Sequence, residues 1–293
     1  MERVEVLKTY KIYIGGKFPR TESGRYYIPT NEQGEQLGNV CLSSRKDIRN
    51  AVVAARKSFG DWSGRSAFNR SQILYRIAEM LEGRKEQFIE ELRFQGASKS
   101  MAEKEVLLSI DRLIYYSGWC DKYQQILGSV NPVASSHFNF STPEPTGVVG
   151  IITDNSTSLI GLVSMVAPTI AGGNTCVVLA SETLPLCSVT FAEVLNSSDV
   201  PGGVVNILTG KHVEMIAPLT THMDVNAIMY SGHNMELLKE LHESASLNLK
   251  RVFHYELNWM KPDSQDLYMI ESCQEIKTTW HPIENIGGAT SSY

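Results

Sequence analysis

Along the first forty residues, apolar and polar positions alternate in short extended runs. Tyr10-Lys11-Ile12-Tyr13-Ile14 and Tyr26-Tyr27-Ile28 are broken by glycine turn signals at Gly15-Gly16, Gly24 and Gly34, a pattern that predicts an N-terminal β segment. The period then changes to that of a helix. Ser43 or Ser44 caps a stripe of Ile48, Val52, Ala55 and Phe59, with Gly60 as the C-terminal stop. A second stripe from about Asn69 carries Ile73, Ile77, Met80 and Leu81. A third helix is predicted over Lys85 to Phe94. A fourth, after Gly96, runs through Val106, Ile110, Leu113, Ile114 and Tyr116.

From Gly128 the pattern is β-like again. Val133 to Phe140, with Pro132, Pro143 and Pro145 marking the ends, predicts an exposed hairpin or flap. The run Val148-Val149-Gly150-Ile151-Ile152 is apolar without alternation, which a strand covered on both faces requires. After it come helix Leu159 to Ala171, strand Thr175 to Leu179, helix Leu186 to Leu195, strand Val204 to Leu208, helix Val213 to Leu219, strand Ala227 to Tyr230 and helix Met235 to Ser244. Strand and helix alternating at this spacing predict an α/β fold with a doubly wound parallel sheet. No internal repeat or low-complexity segment interrupts it.

Composition narrows the class. The 293 residues are 42% hydrophobic and 20% charged, with a formal charge of -5, an ordinary globular balance sufficient for one large domain or two modest ones. No run of five basic residues occurs, so nucleic acid and anionic membrane are not expected partners. The charged start Met1-Glu2-Arg3-Val4-Glu5 is no signal peptide, and the most apolar stretch, Leu159 to Ala171, is too short for a bilayer; a cytoplasmic protein is expected. Cys41, Cys120, Cys176, Cys187 and Cys273 lie far apart without a C-x-x-C pair, and reduced thiols are the expectation, with neither disulfide framework nor zinc site. His212, His222, His233, His242, His254 and His281 show no ligand spacing, so no metal site is expected.

Several motifs stand in a recognisable order: Gly147-Val148-Val149-Gly150-Ile151-Ile152-Thr153, Ala171-Gly172-Gly173-Asn174-Thr175, Ser181-Glu182-Thr183, the stretch from Val200-Pro201-Gly202-Gly203 to Thr209-Gly210, Tyr230-Ser231-Gly232, and Asn248-Leu249-Lys250-Arg251-Val252. In this order and spacing they resemble the nicotinamide-cofactor-binding domain of the aldehyde dehydrogenase superfamily, a Rossmann-like fold. The likeness reaches back through Ile14-Gly15-Gly16-Lys17 and the helix Arg70 to Glu82, covering most of the first 252 residues.

The resemblance implies a cofactor-binding domain over residues 1–127 and 146–260, an oligomerisation flap made by 128–145 with 270–283, and a flexible tail over 284–293. It places the NAD or NADP contacts on Thr153, Glu182, Gly210, Ser231 and Gly232. It also implies a cysteine nucleophile in a separate catalytic domain, an oxyanion hole and a glutamate base.

The chain departs from that pattern at each chemical group. The oxyanion-stabilising amide falls on Ser156 in Asp154-Asn155-Ser156, with Asn155 as its substitute only after a one-residue shift; losing such a donor lowers a rate on the order of 10²–10³-fold. The cofactor-binding lysine falls on Leu179, where a charged donor would contribute about 1.5–3 kcal/mol. The base position falls on Tyr255, or on Glu256 after an insertion. Met260 to Tyr293 are too few for a catalytic domain, and Cys273 lacks the family's Gly-Gln-x-Cys context. The segment Glu275 to Pro282 resembles the family's C-terminal strand, which pairs with the flap and reaches another subunit.

The expected function is therefore that of a catalytically degenerate relative, a pseudoenzyme with no catalytic residues. It keeps the oligomerisation parts and forms a homo-oligomer, or a hetero-oligomer with an active aldehyde dehydrogenase. Two alternatives stand beside it: an NAD(P)-dependent aldehyde oxidoreductase with a rearranged site using Cys273, and a sensor that binds NAD(P) without turnover.

Overall fold

The structure, a computed structural model, describes residues 7–283. The charged start Met1 to Glu5 and the tail 284–293 lie outside the described residues.

Three short strands open the chain, β1 (Thr9–Tyr10), β2 (Tyr26–Tyr27) and β3 (Asn39–Cys41), in the order β1-β3-β2. Helix α1 (Arg45–Ser63) starts at Ser44, whose backbone N–H donates to the Asp47 carboxylate at 2.8 Å. The helix does not stop at Gly60; it runs to Ser63 and ends on Gly64. Trp62 accounts for the extra turn, because its ring is fully buried and its indole N–H donates to the Ile170 carbonyl at 3.1 Å. Helix α2 (Ala67–Gly83) begins two residues before Asn69, with the Ser66 hydroxyl accepting the Asn69 N–H. Then follow α3 (Lys85–Phe94), α4 (Lys99–Ser117) and the short α5 (Tyr123–Leu127).

Two flap strands come next, β4 (Ser129–Asn131) and β5 (His137–Pro145), and after them the central sheet of β6 (Val148–Ile152), β7 (Thr175–Leu179), β8 (Val205–Leu208), β9 (Ala227–Ser231) and β10 (Arg251–Tyr255). All pairings of the central sheet are parallel, in the order β10-β9-β6-β7-β8. The crossovers are α6 (Ile160–Ala171), α7 (Leu186–Asn196), α8 (His212–Thr220) and α9 (Met235–Ser246). Side chains alternate between two cores: Val149, Ile151, Cys176 and Val178 join Leu74, Val106 and Val163 on one face, while Val148, Ile152, Val177 and Leu179 join Val52, Leu219 and Leu241 on the other. The strands read as unbroken apolar runs because each face is roofed by helices. At Gly203, φ is +99° and an added Cβ would stand 2.7 Å from the Ala54 carbonyl, so only glycine lets β8 approach α1 this closely.

The flap is a three-stranded antiparallel sheet in the order β11-β5-β4, where β11 is Gln274–Pro282 and α10 (Tyr268–Glu271) precedes it. Nine rungs join β11 to β5, from Gln274↔Pro145 to Pro282↔His137. The sequence places Pro143 and Pro145 at the flap's end, yet both lie inside β5. The register shows why: β4 covers β5 only between Asn139 and Ser141. Beyond Ser141 that side of β5 has no neighbour in the sheet, so a missing N–H costs the ladder nothing there. Among the described residues no helix is long and apolar enough to cross a membrane.

Candidate functional site

A cleft of ≈ 540 Å³ opens beyond the C-terminal ends of β6 and β9, where doubly wound sheets place their ligands. Thr153, Glu182, Ser231 and Gly232 line it together with Asp154, Asn155 and Ser156. Gly210 is not part of its wall. With φ at +145° it packs under the chain at Ser43, 2.9 Å from that backbone nitrogen for an added Cβ, and its work is structural.

Several polar groups of the cleft already have partners within the protein. The Thr153 hydroxyl donates to the Leu179 carbonyl at 2.9 Å. Ser231 donates its hydroxyl to Asp154 Oδ2 at 3.2 Å and accepts the Trp259 indole N–H at 2.9 Å. Glu182 turns to the start of α8, accepting the His212 N–H, with the Lys211 ammonium 3.8 Å away. The His212 ring bonds the Ala180 carbonyl at 2.9 Å, and its burial lowers its pKa. Leu179 is fully buried in the core under α8, so it offers no side-chain donor to the cleft.

The Ser156 N–H is spent likewise, whereas Asn155 is engaged only through its side-chain oxygen, an acceptor. Asp154 Oδ1 accepts both the N–H and the hydroxyl of Ser156 at 2.9 Å, a local turn that folds Ser156 back on the chain. The Asn155 carbonyl oxygen accepts from the Ser181 hydroxyl at 2.9 Å and the Glu182 N–H at 2.8 Å, joining two loops. At the base position, the Tyr255 hydroxyl is buried without a partner among the described residues, and burial raises its pKa. Glu256 is exposed and pairs with His233 at 2.8 Å.

Cys273 lies outside the cleft. Its thiol is fully buried beside the Met229 sulfur at 3.7 Å, on the core side of β9, and desolvation pushes its pKa to about 12. Cys176 and Cys187 are buried with raised values for the same reason. Since the thiolate is the nucleophile, none of these three is poised to attack. The expected result is that iodoacetamide at about pH 8 labels none of the five cysteines of the folded chain, all of them buried, and all five after denaturation, as read by intact mass. Rapid labelling of Cys273 would show that its thiol reaches solvent.

Residues that pattern-reading passes over hold this loop in place. Glu105 of α4 accepts three N–H groups at the start of α6, those of Ser158, Leu159 and Ile160, at 3.1, 2.8 and 3.1 Å. Gln95 donates to the Ser158 hydroxyl at 3.0 Å and accepts the Leu186 N–H at 3.1 Å. Both act across more than fifty positions of sequence, so no local spacing signals them.

Comparison with known proteins decides the lineage, because a profile of the aldehyde dehydrogenase family matches residues 19–257. The chain belongs to the aldehyde dehydrogenase family. An aldehyde dehydrogenase of Davidiella tassiana is 31% identical over 82% of this chain and 49% of its own length. The cytosolic 10-formyltetrahydrofolate dehydrogenase of Mus musculus is 33% identical over 86% of this chain and 29% of its own. Among solved structures, the NAD+ complex of the Bacillus cereus aldehyde dehydrogenase superposes with a TM-score of 0.80 at 26% identity, over 84% of this chain and 50% of that one. HpcC from Thermus thermophilus also gives 0.80 at 26%, over 84% and 48%. The chain thus spans half or less of the length of these aldehyde dehydrogenase relatives.

Proposed function

We propose that this chain works as a non-catalytic aldehyde dehydrogenase-like subunit, assembling with itself or with an active aldehyde dehydrogenase. The flap is the observation that carries this reading. Its strands present Val130, Phe138, Ile276 and Trp280 largely to solvent, and β11 forms the edge of the sheet, with β5 as its partner. A nine-residue edge strand studded with apolar side chains is a template for another chain unless something covers it. The inward-turned site supports the non-catalytic half: the Ser156 N–H folds back on Asp154 and the Cys273 thiol is buried in the core, away from the cleft.

Size-exclusion chromatography with light scattering tests the proposal. The expected mass is at least twice that of one chain, or that of a mixed complex when an active relative is added. Ile276→Glu with Trp280→Glu, both on exposed positions, is expected to reduce the assembly to single chains while leaving the melting curve cooperative. A monomer that ignores an active relative, or aldehyde-dependent NADH formation by the purified chain, would refute the reading.

A further inference from the structure

The cleft beyond β6 and β9 continues sideways into a groove of ≈ 360 Å³ between α8 and α9; the two share His212, Asn234 and Leu237. Asp154, Glu182, Glu236 and Glu240 line the combined space, and among the described residues no lysine or arginine does. Lys211, which precedes the lining residue His212, is already engaged: its ammonium lies 3.8 Å from Glu182 and 5.3 Å from the centre of the Tyr27 ring. A dinucleotide must place two phosphate charges here, against four carboxylates and without a counter-charge on the wall.

Three of the four leading N–H groups of the helix that ought to receive those phosphates are taken as well. A helix N-terminus binds an anion through N–H groups left over from the helix ladder. At α9 the Asn234 N–H donates to the Tyr230 hydroxyl at 3.1 Å, and the Glu236 and Leu237 N–H groups both donate to the Asn234 side-chain oxygen at 3.0 Å. The Tyr230 ring is held in that position by stacking on His254, with centroids 5.4 Å apart. At α8 the first N–H is taken by Glu182, the carboxylate that the family resemblance assigns to the cofactor. The donors named here are occupied by this protein's own side chains, so the residues present do not fit NAD or NADP.

We infer that the cleft excludes nicotinamide dinucleotides, its anion seat being filled from within and its rim charged against phosphate. The inference stands apart from the proposed assembly: a subunit docked through its flap could bind NAD or refuse it. Calorimetry therefore bears on this claim alone, and light scattering on the other. Titrating NAD and then NADP to about 1 mM into the full chain is expected to give no saturable heat, and neither cofactor is expected to move the thermal midpoint. Saturable binding of either cofactor in that range would overturn the exclusion. Amide hydrogen exchange checks the cause. In the ligand-free chain the Asn234, Glu236 and Leu237 N–H groups are expected to exchange at least about tenfold slower than unbonded loop amides. Exchange at the unbonded rate would show the seat open and refute the self-capping.

Discussion

Replacing Arg112 by methionine is expected to destabilise the folded chain by about 2–5 kcal/mol, at about 1–3 kcal/mol for each buried acceptor left unsatisfied. Arg112 sits on α4 with its side chain fully enclosed. Its guanidinium donates to the Ser164 hydroxyl and the Ser264 carbonyl at 2.6 Å each, and to the Lys261 carbonyl at 3.1 Å. The partners named are neutral oxygens, so one planar donor group satisfies acceptors on α6 and on the segment that follows β10. Methionine fills a similar length but leaves the Ser164 hydroxyl and the Ser264 carbonyl without that donor, while the Lys261 carbonyl keeps the Ser264 N–H at 3.2 Å. A loss of this size is a large part of the roughly 5–15 kcal/mol that holds a typical domain together. It should shift the urea midpoint strongly with little change in slope. Arg112→Lys should recover only part of it, because an ammonium cannot reproduce the planar fork. A shift below about 1 kcal/mol would mean that water replaces the guanidinium. The consequence reaches the cleft, since the same segment carries Trp259, whose indole holds Ser231 in the wall.

Glu105→Ala is expected to cost about 3 kcal/mol, since it strands three backbone donors of α6 in a dry interior. Glu105→Gln keeps an acceptor oxygen and should cost less. The pH dependence separates the two effects. Burial pushes the Glu105 carboxyl above its ordinary value and outweighs the three N–H groups that pull it down. An acid whose folded pKa is raised contributes stability that is complete below its unfolded value of about 4.3 and is lost as pH rises through the raised folded value. The wild type should therefore lose this contribution as pH rises above about 4.3, and Glu105→Gln should flatten that part of the profile. Denaturant titrations from about pH 5 to pH 8 measure it. An unchanged profile in Glu105→Gln would show that this carboxyl does not titrate in that window.

The parallel sheet was readable because its evidence is local. Val148–Ile152 and Thr175–Leu179 are buried at every position and apolar apart from Thr175, and strands and helices alternate at the βαβ spacing. Capping and stopping were read less well, and tertiary contact explains the difference. Gly60 is a reasonable stop by composition, but the burial of Trp62 against Ile170 carries α1 one turn further. Pro143 and Pro145 resemble strand ends until the register shows one side of β5 uncovered.

The candidate site divides in the same way. Thr153, Glu182, Ser231 and Gly232 reach one cleft because each lies at or just beyond the C-terminal end of a strand, and the βαβ rhythm makes the strands parallel so that those ends share one edge. What those groups do there was not readable. Glu182 survives in the sequence as a cofactor ligand would, yet in the fold its carboxylate caps α8; Gly210 survives and packs under Ser43. Sequence alone determined the lineage and the sheet, since hydrophobic period and motif order are properties of neighbours along the chain, and the family resemblance implied the pairing of flap with terminal strand that the register bears out. Only the tertiary structure decided that the thiol of Cys273 faces the core and that Tyr230 and Asn234 occupy the donors of α9. Hydrogen-bond partners and burial are set by groups distant in sequence that come together when the layers pack.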